Sequence, residues 1–78
     1  MEVTNAESAR RFIEAWHREA PYPRPAYWYR MYSRSNRACA GIVRHRDPAR
    51  AADWEAAAEV FDAAGREAYG DEYGAYVG

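Results

Sequence analysis

DWEAAAEVFDAAGREAY, residues 53–69, is the most strongly periodic run of this 78-residue chain and predicts a long helix. Apolar or small residues recur at three- and four-residue steps and form one stripe: Trp54, Ala57, Ala58, Phe61, Ala64, Gly65 and Ala68. A stripe of this kind is the face that a helix buries against a core. Glu55, Glu59 and Asp62 are predicted to lie on the opposite side, one turn apart, so we expect an acidic face that points outward.

The residues on either side of this run indicate where the helix begins and ends. Asp47 can cap the first free amide groups, and Pro48 suits the first helical position because its fixed φ angle is already helical. Gly70 suits the position after a helix end. The sequence therefore predicts a helix over about 48–69, with Asp53 as an alternative start.

A second helix is predicted near the amino terminus, over about 5–19. Thr4 and Glu7 have the spacing of a capping box, and an apolar stripe follows at helical steps. Pro21 ends the helix, because the residue before a proline is driven out of the helical region. Residues 21–25, PYPRP, predict a stiff, polyproline-like connector.

The stretch that follows the connector predicts a β-hairpin over about 26–45. Residues 26–33, AYWYRMYS, are rich in strand-favouring aromatics, residues 37–45 contain Ile42-Val43, and SRSN between them resembles a turn. The tail, residues 70–78, alternates weakly, so it either docks as a short third strand or frays. The predicted fold is a single α+β domain over 1–78, in the order α-β-β-α, with both helices on one face of a small antiparallel sheet.

Composition limits how such a domain can build its core and distribute its charge. The chain contains no Leu and no Lys, so we expect aromatic rings packed against alanines in the core. Residues 1–46 carry nine Arg against four Glu, whereas residues 47–78 carry two Arg against eight acidic residues. Either the two halves attract each other on folding, or the surface presents two oppositely charged patches to partners.

No pattern in the chain predicts enzymatic chemistry, a metal site or a cofactor. A single cysteine, Cys39, excludes an intramolecular disulfide and, with two histidines, matches no zinc-site spacing. On a strand, Cys39 and His45 would lie about 20 Å apart, too far for a nucleophile and its base. With no signal peptide and no long apolar run, we expect a non-enzymatic, cytoplasmic protein that does not enter a membrane.

Two binding hypotheses remain open at this point. The predicted hairpin would place Arg30, Arg34 and Arg37 around Tyr29, which suits a nucleic-acid-binding surface because arginines contact phosphates and rings stack on bases. The competing hypothesis is a protein-binding surface, with the monomer or a weak homodimer as the binding species. It uses an acidic strip made of Glu55, Glu59, Asp62, Asp71 and Glu72.

The acidic strip and the small, motif-free chain together resemble the anti-CRISPR inhibitor proteins that phages encode. The resemblance implies a non-enzymatic protein that binds a host nucleic-acid-guided effector complex, a basic partner, and blocks its engagement of nucleic acid. Blocking could occur by occlusion or by charge mimicry. The high Arg content departs from a pure nucleic-acid mimic and therefore favours occlusion.

Overall fold

A computed structural model describes residues 2–75 of the chain, and these residues form helices without any strand. Helix α1 spans Ala6–Glu19, α2 spans Ala26–Val43, α3 spans Pro48–Tyr69, and the short α4 spans Asp71–Ala75. The α+β fold prediction is therefore wrong, because the domain is a small all-helical one. The tail that was expected to form a third strand or to fray begins as α4, and residues 76–78 lie outside the described part.

The predicted hairpin over 26–45 is replaced by the 18-residue helix α2 and the turn after it. Trp28, Tyr32, Asn36 and Ala40 follow one another at four-residue steps on its inward side. Asn36, which the sequence places in a turn, instead donates from Nδ2 to the carbonyl oxygen of Tyr32 at 2.8 Å within the helix. Burial of this side has overridden the strand preference of the individual residues.

The helix ends show how the other boundaries are set. Asn5 caps α1, its Oδ1 accepting from the Ser8 amide at 2.8 Å, while Ser8 Oγ accepts from the Asn5 amide at 3.0 Å. This reciprocal pair occupies the place of the predicted Thr4–Glu7 box, one residue further along. At α3, Asp47 Oδ1 accepts from the Arg50 amide at 3.0 Å, and Gly70 ends the helix with a φ of 60°.

Contacts along the helices give an up-down-up arrangement. Helix α2 is antiparallel to α3, since Arg44 pairs with Glu55 while Arg30 lies beside Asp62. Helix α1 runs parallel to α3, since the ring of Phe12 lies 6.0 Å from that of Phe61 and His17, further along α1, is within the field of Glu67. The Cα trace measures 38 × 27 × 14 Å, which is two helix layers deep.

The core consists of aromatic rings packed against alanines, as the missing leucines predict. Phe61 and Tyr29 are fully buried, and Trp28 is 5% exposed. The ring of Trp28 stacks on that of Phe12 at 6.0 Å, and that of Tyr32 stacks on Phe61 at 5.1 Å. Alanines Ala9, Ala57 and Ala58 are also fully buried and let the helices approach closely.

Candidate functional site

The predicted acidic residues of α3 pair with arginines of α2, but only Asp62 is buried, whereas Glu55 is half-buried and Glu59 stays exposed to solvent. Glu55 accepts a hydrogen bond from the Arg44 guanidinium, and Arg37 Nη2 donates to Glu59 Oε1 at 2.7 Å and to Asp62 Oδ2 at 2.8 Å. The arginine-rich and acid-rich halves of the chain therefore attract each other within the fold, the first of the two explanations for their opposite charge. Asp71 and Glu72, in contrast, are exposed on α4.

Asp62 is the centre of a buried polar network. The residue is 4% exposed, and its Oδ1 accepts from the Tyr73 hydroxyl at 2.6 Å and lies 3.5 Å from Arg30 Nη1. Burial alone would raise the pKa of the Asp62 carboxyl, but the hydrogen bonds from Tyr73 and Arg37 outweigh burial and hold that pKa below its ordinary value. Asp62 therefore ties α2, α3 and α4 together.

Tyr73 reaches Asp62 only because α3 carries a glycine at the point where the ring crosses it. A Cβ atom at Gly65 would lie 2.3 Å from Cε1 of the Tyr73 ring, which is closer than atoms can approach. The ring is 2% exposed, and both its burial and its bond to Asp62 raise the pKa of the Tyr73 hydroxyl. The absence of a side chain at Gly65 therefore allows the Tyr73 ring of α4 to pack directly against α3.

The residues of the nucleic-acid hypothesis do not form one surface. Tyr29 is fully buried, and its hydroxyl oxygen lies 2.9 Å from His17 Nε2 and accepts from the Arg24 amide at 3.2 Å. Arg30 and Arg37 face Asp62, so only Arg34 of the four is exposed without an ion pair in the described part of the chain.

The cluster around Tyr29 fastens the 21–25 connector to the core. The Tyr69 hydroxyl donates to the carbonyl oxygen of Arg24 at 2.6 Å, and the Arg24 guanidinium lies 5.1 Å over the ring of Trp16. Burial, assisted by Arg24 and opposed by Glu67, lowers the pKa of His17. These contacts serve to position the connector.

The strand-based distance between Cys39 and His45 no longer applies, because Cys39 lies in α2 and His45 in the turn after it. The four helical steps from Cys39 to the end of α2 at Val43 alone span about 6 Å along the axis, twice the reach of a nucleophile and base. Within residues 2–75, no cluster of three or more candidate side chains is arranged to hold a metal ion. In the same range, each helix is too short or too polar to cross a membrane.

The exposed side of α2 is a surface that the sequence reasoning missed. Tyr27 is 54% exposed, Met31 50% and Ile42 72%, and all lie with Ala38 on one side of the helix. We define the outer face of α2 as Tyr27, Met31, Arg34, Ala38 and Ile42. Their spacing of four, three, four and four residues is helical, and it is hidden when the same stretch is interpreted as alternating strands.

No protein-family model, curated protein or solved structure matches this chain.

Proposed function

We propose that this chain is a non-enzymatic protein-binding module that docks its partner through the outer face of α2. The observation that carries the proposal is the exposure of Tyr27, Met31 and Ile42 at helical spacing. Helix-in-groove recognition uses apolar anchors at such spacing on one side of a helix. Aromatic residues, methionine and arginine are also the types enriched in protein interfaces.

The charge of α2 defines the partner surface that fits it. Residues 26–46 contain five arginines and no acidic residue. Arg30, Arg37 and Arg44 face carboxylates of α3, whereas Arg34 stands exposed in the middle of the outer face. A complementary surface has apolar pockets for the two ends of the face and a carboxylate opposite Arg34.

The phage inhibitor role expected from the sequence is the specific form of this proposal. In it, the partner is a nucleic-acid-guided effector complex, and the docked chain obstructs nucleic acid from a neighbouring surface, because the carboxylate-bearing surface that fits Arg34 is not the basic surface that holds nucleic acid. The ion pairs of Glu55, Glu59 and Asp62 support occlusion over charge mimicry, because carboxylates already matched by arginines present little net negative field.

A site-specific crosslinker tests the docking face. A photoreactive side chain at Met31 should crosslink one defined protein in the source cell, whereas the same group at Ala52, an exposed residue of α3, should not. A matched Ile42→Ser variant should weaken the Met31 crosslink while keeping its helix content. Equal crosslinking from both positions would contradict the proposed face.

The inhibitor role is tested by adding the purified protein to a guide-loaded effector complex and its target DNA. Target binding in a gel shift should fall as the protein is titrated in, and the Ile42→Ser variant should need about tenfold more protein, one lost apolar anchor being worth about 1.4 kcal/mol. Undiminished target binding at saturating protein would exclude this role while leaving the docking face to the crosslinking test.

Direct nucleic-acid binding is an alternative outcome that the same gel shift detects. Substitution of Arg34 by Ala is the appropriate variant, because Arg30 and Arg37 hold the buried Asp62 and their loss would damage the fold. Salt-sensitive binding of DNA or RNA that is lost in Arg34→Ala would overturn the proposal of a protein partner.

A further inference from the structure

A groove of about 670 Å³ runs between α1 and α3 and has no role in the docking face described above. It is lined by residues from 6–17 of α1 and 56–67 of α3, and we call it the α1–α3 groove. Ile13, Val60 and Ala64 form its apolar floor, and Ala63 stands exposed within it. It opens on the side of α3 away from Asp62, and Glu59, which pairs with Arg37 of α2, lies at its edge.

The shape of the groove matches one helix. Its walls are two parallel helices, each contributing eleven residue steps, so it is about 16 Å long, or three helical turns. Three of the six α3 residues that line the groove are alanines, which lets another helix approach closely at those positions. A helix from another molecule placed there would join the three long helices and convert their up-down-up arrangement into an up-down-up-down bundle.

The charges on the rim specify what kind of helix fits. Three glutamates, Glu14, Glu59 and Glu67, stand against one arginine, Arg10. Glu59 is paired with Arg37, which leaves Glu14 and Glu67 without an ion pair in the described residues. A helix that carries Lys or Arg beside its apolar stripe would complement this rim.

The rim charges also set the direction of the bound helix. Glu14 and Glu67 lie toward the end of the groove where α1 finishes, while Arg10 lies a turn closer to the start of α1. The amino terminus of a helix carries partial positive charge and its carboxyl terminus partial negative charge. A helix with its amino terminus beside Glu14 and Glu67 is therefore favoured, and it runs antiparallel to α1 and α3.

We propose that the α1–α3 groove binds one amphipathic helix of a partner protein, antiparallel to α1 and α3, with Lys or Arg in its amino-terminal half. This surface is separate from the outer face of α2, and the proposal does not depend on that face being used.

Synthetic peptides of about 15 residues provide the test. One peptide carries an Ala- and Leu-based apolar stripe with lysines in its amino-terminal half, a second has the same composition with the lysines in its carboxyl-terminal half, and a third has glutamates instead. Fluorescence anisotropy should show the first peptide binding at least about fivefold more tightly than the second, which is about 1 kcal/mol from the pairing of its lysines with Glu14 and Glu67. The third should bind most weakly.

Variants locate the peptide on the protein. Ala63→Trp fills the groove and should weaken binding of the first peptide by about tenfold or more, whereas Ala52→Trp, on an exposed part of α3 outside the groove, should not. Ile42→Ser should leave peptide binding unchanged, so failure of the docking-face proposal would be distinguishable from failure of this one. A circular dichroism melt of each variant verifies that it is folded.

Three results would overturn the proposal. No saturable binding of any peptide up to about 1 mM would do so, as would equal binding by the wild type and Ala63→Trp. Sedimentation that shows a concentration-dependent dimer dissociated by Ala63→Trp would identify a second copy, rather than a partner's helix, as the occupant of the groove.

Discussion

Gly65 shows how much one absent side chain can determine in a domain of this size. Adding a Cβ there displaces the Tyr73 ring, with a steric cost of about 1–3 kcal/mol, although Ala is favoured over Gly in a helix by about 1 kcal/mol. The difference between these two effects means that Gly65→Ala should lower the free energy of unfolding by up to about 2 kcal/mol in urea denaturation.

Gly41 is the matched control for this substitution. It also lies inside a long helix, but a Cβ there would have no neighbour within 4 Å. Gly41→Ala should therefore stabilise the domain by up to about 1 kcal/mol. If both variants shift the free energy of unfolding in the same direction, the packing of Tyr73 against α3 does not require glycine at position 65.

Phe61 is the residue on which the leucine-free core depends most directly. It is fully buried, and its ring lies 5.1 Å from that of Tyr32 and 5.9 Å from that of Trp28. Phe61→Ala should cost about 3–5 kcal/mol, a large part of the stability of so small a domain. Tyr27→Ala, at an exposed ring, should change stability by less than about 0.5 kcal/mol, and thermal unfolding of the two variants makes the comparison.

The pairing of α2 with α3 depends on arginines that differ in what they contact. Arg37 donates to Glu59 and to the buried Asp62, whereas Arg34, one turn earlier, is exposed and forms no ion pair among the described residues. Arg37→Ala leaves Asp62 short of a charged donor and should cost about 2 kcal/mol, while Arg34→Ala should cost less than about 0.5 kcal/mol. Denaturation of both variants at one salt concentration is the measurement, and equal losses would contradict the network.

Helices α1 and α3 could be predicted from the sequence, because their apolar residues repeat at helical steps and their ends carry capping residues. Helix α2 could not, since Tyr, Trp and Ile favour strands and Ser33 and Asn36 favour turns when each is taken alone. Both Ser33 and Asn36 are instead buried against the rest of the domain. The correct signal was the four-residue repeat from Trp28 through Tyr32 and Asn36 to Ala40.

The candidate site, like the fold, could be predicted only in part from the sequence. The acidic residues of α3 were recognised, but their partners could not be, because the arginines that face them lie on the helix mistaken for a hairpin. Asp62 carried a signal of its own: it lies four residues after Ala58 and three before Gly65, both members of the apolar stripe. A carboxylate in the middle of a buried stripe predicts an internal network rather than a binding surface.

For the whole molecule, the polar network around Asp62 and the contacts of His17 and Tyr29 predict how the free energy of unfolding depends on pH. The pKa values of Asp62 and His17 are lower in the folded state than their ordinary values of 3.8 and 6.5. The unfolded chain therefore binds more protons on the acid side, and stability is lost as pH falls below about 6.5 and again below about 4. On the alkaline side, burial raises the pKa values of Tyr29 and Tyr73, so stability is lost above about pH 10.

Urea denaturation across this pH range checks the prediction. It can also show whether Asp62 causes the loss of stability at the lowest pH, which we call the acid limb. Tyr73→Phe removes a donor from Asp62, which should raise the pKa of that carboxyl and move the lowest-pH loss of stability to higher pH. Tyr27→Phe removes an exposed hydroxyl and is the control. A pH profile that is identical in both variants would show that Asp62 does not govern the acid limb.

The packed rings around Trp28 should give the folded domain a near-ultraviolet circular dichroism signal of its own. The indole lies 6.0 Å from that of Trp16 and 5.0 Å from the ring of Tyr32, so these chromophores are held in fixed, asymmetric orientations. Near-ultraviolet ellipticity arises from such fixed surroundings and is lost when packing loosens, whereas far-ultraviolet ellipticity follows the backbone. Separation of α1 from α2 can therefore be observed without a label, as a loss of the first signal while the second persists.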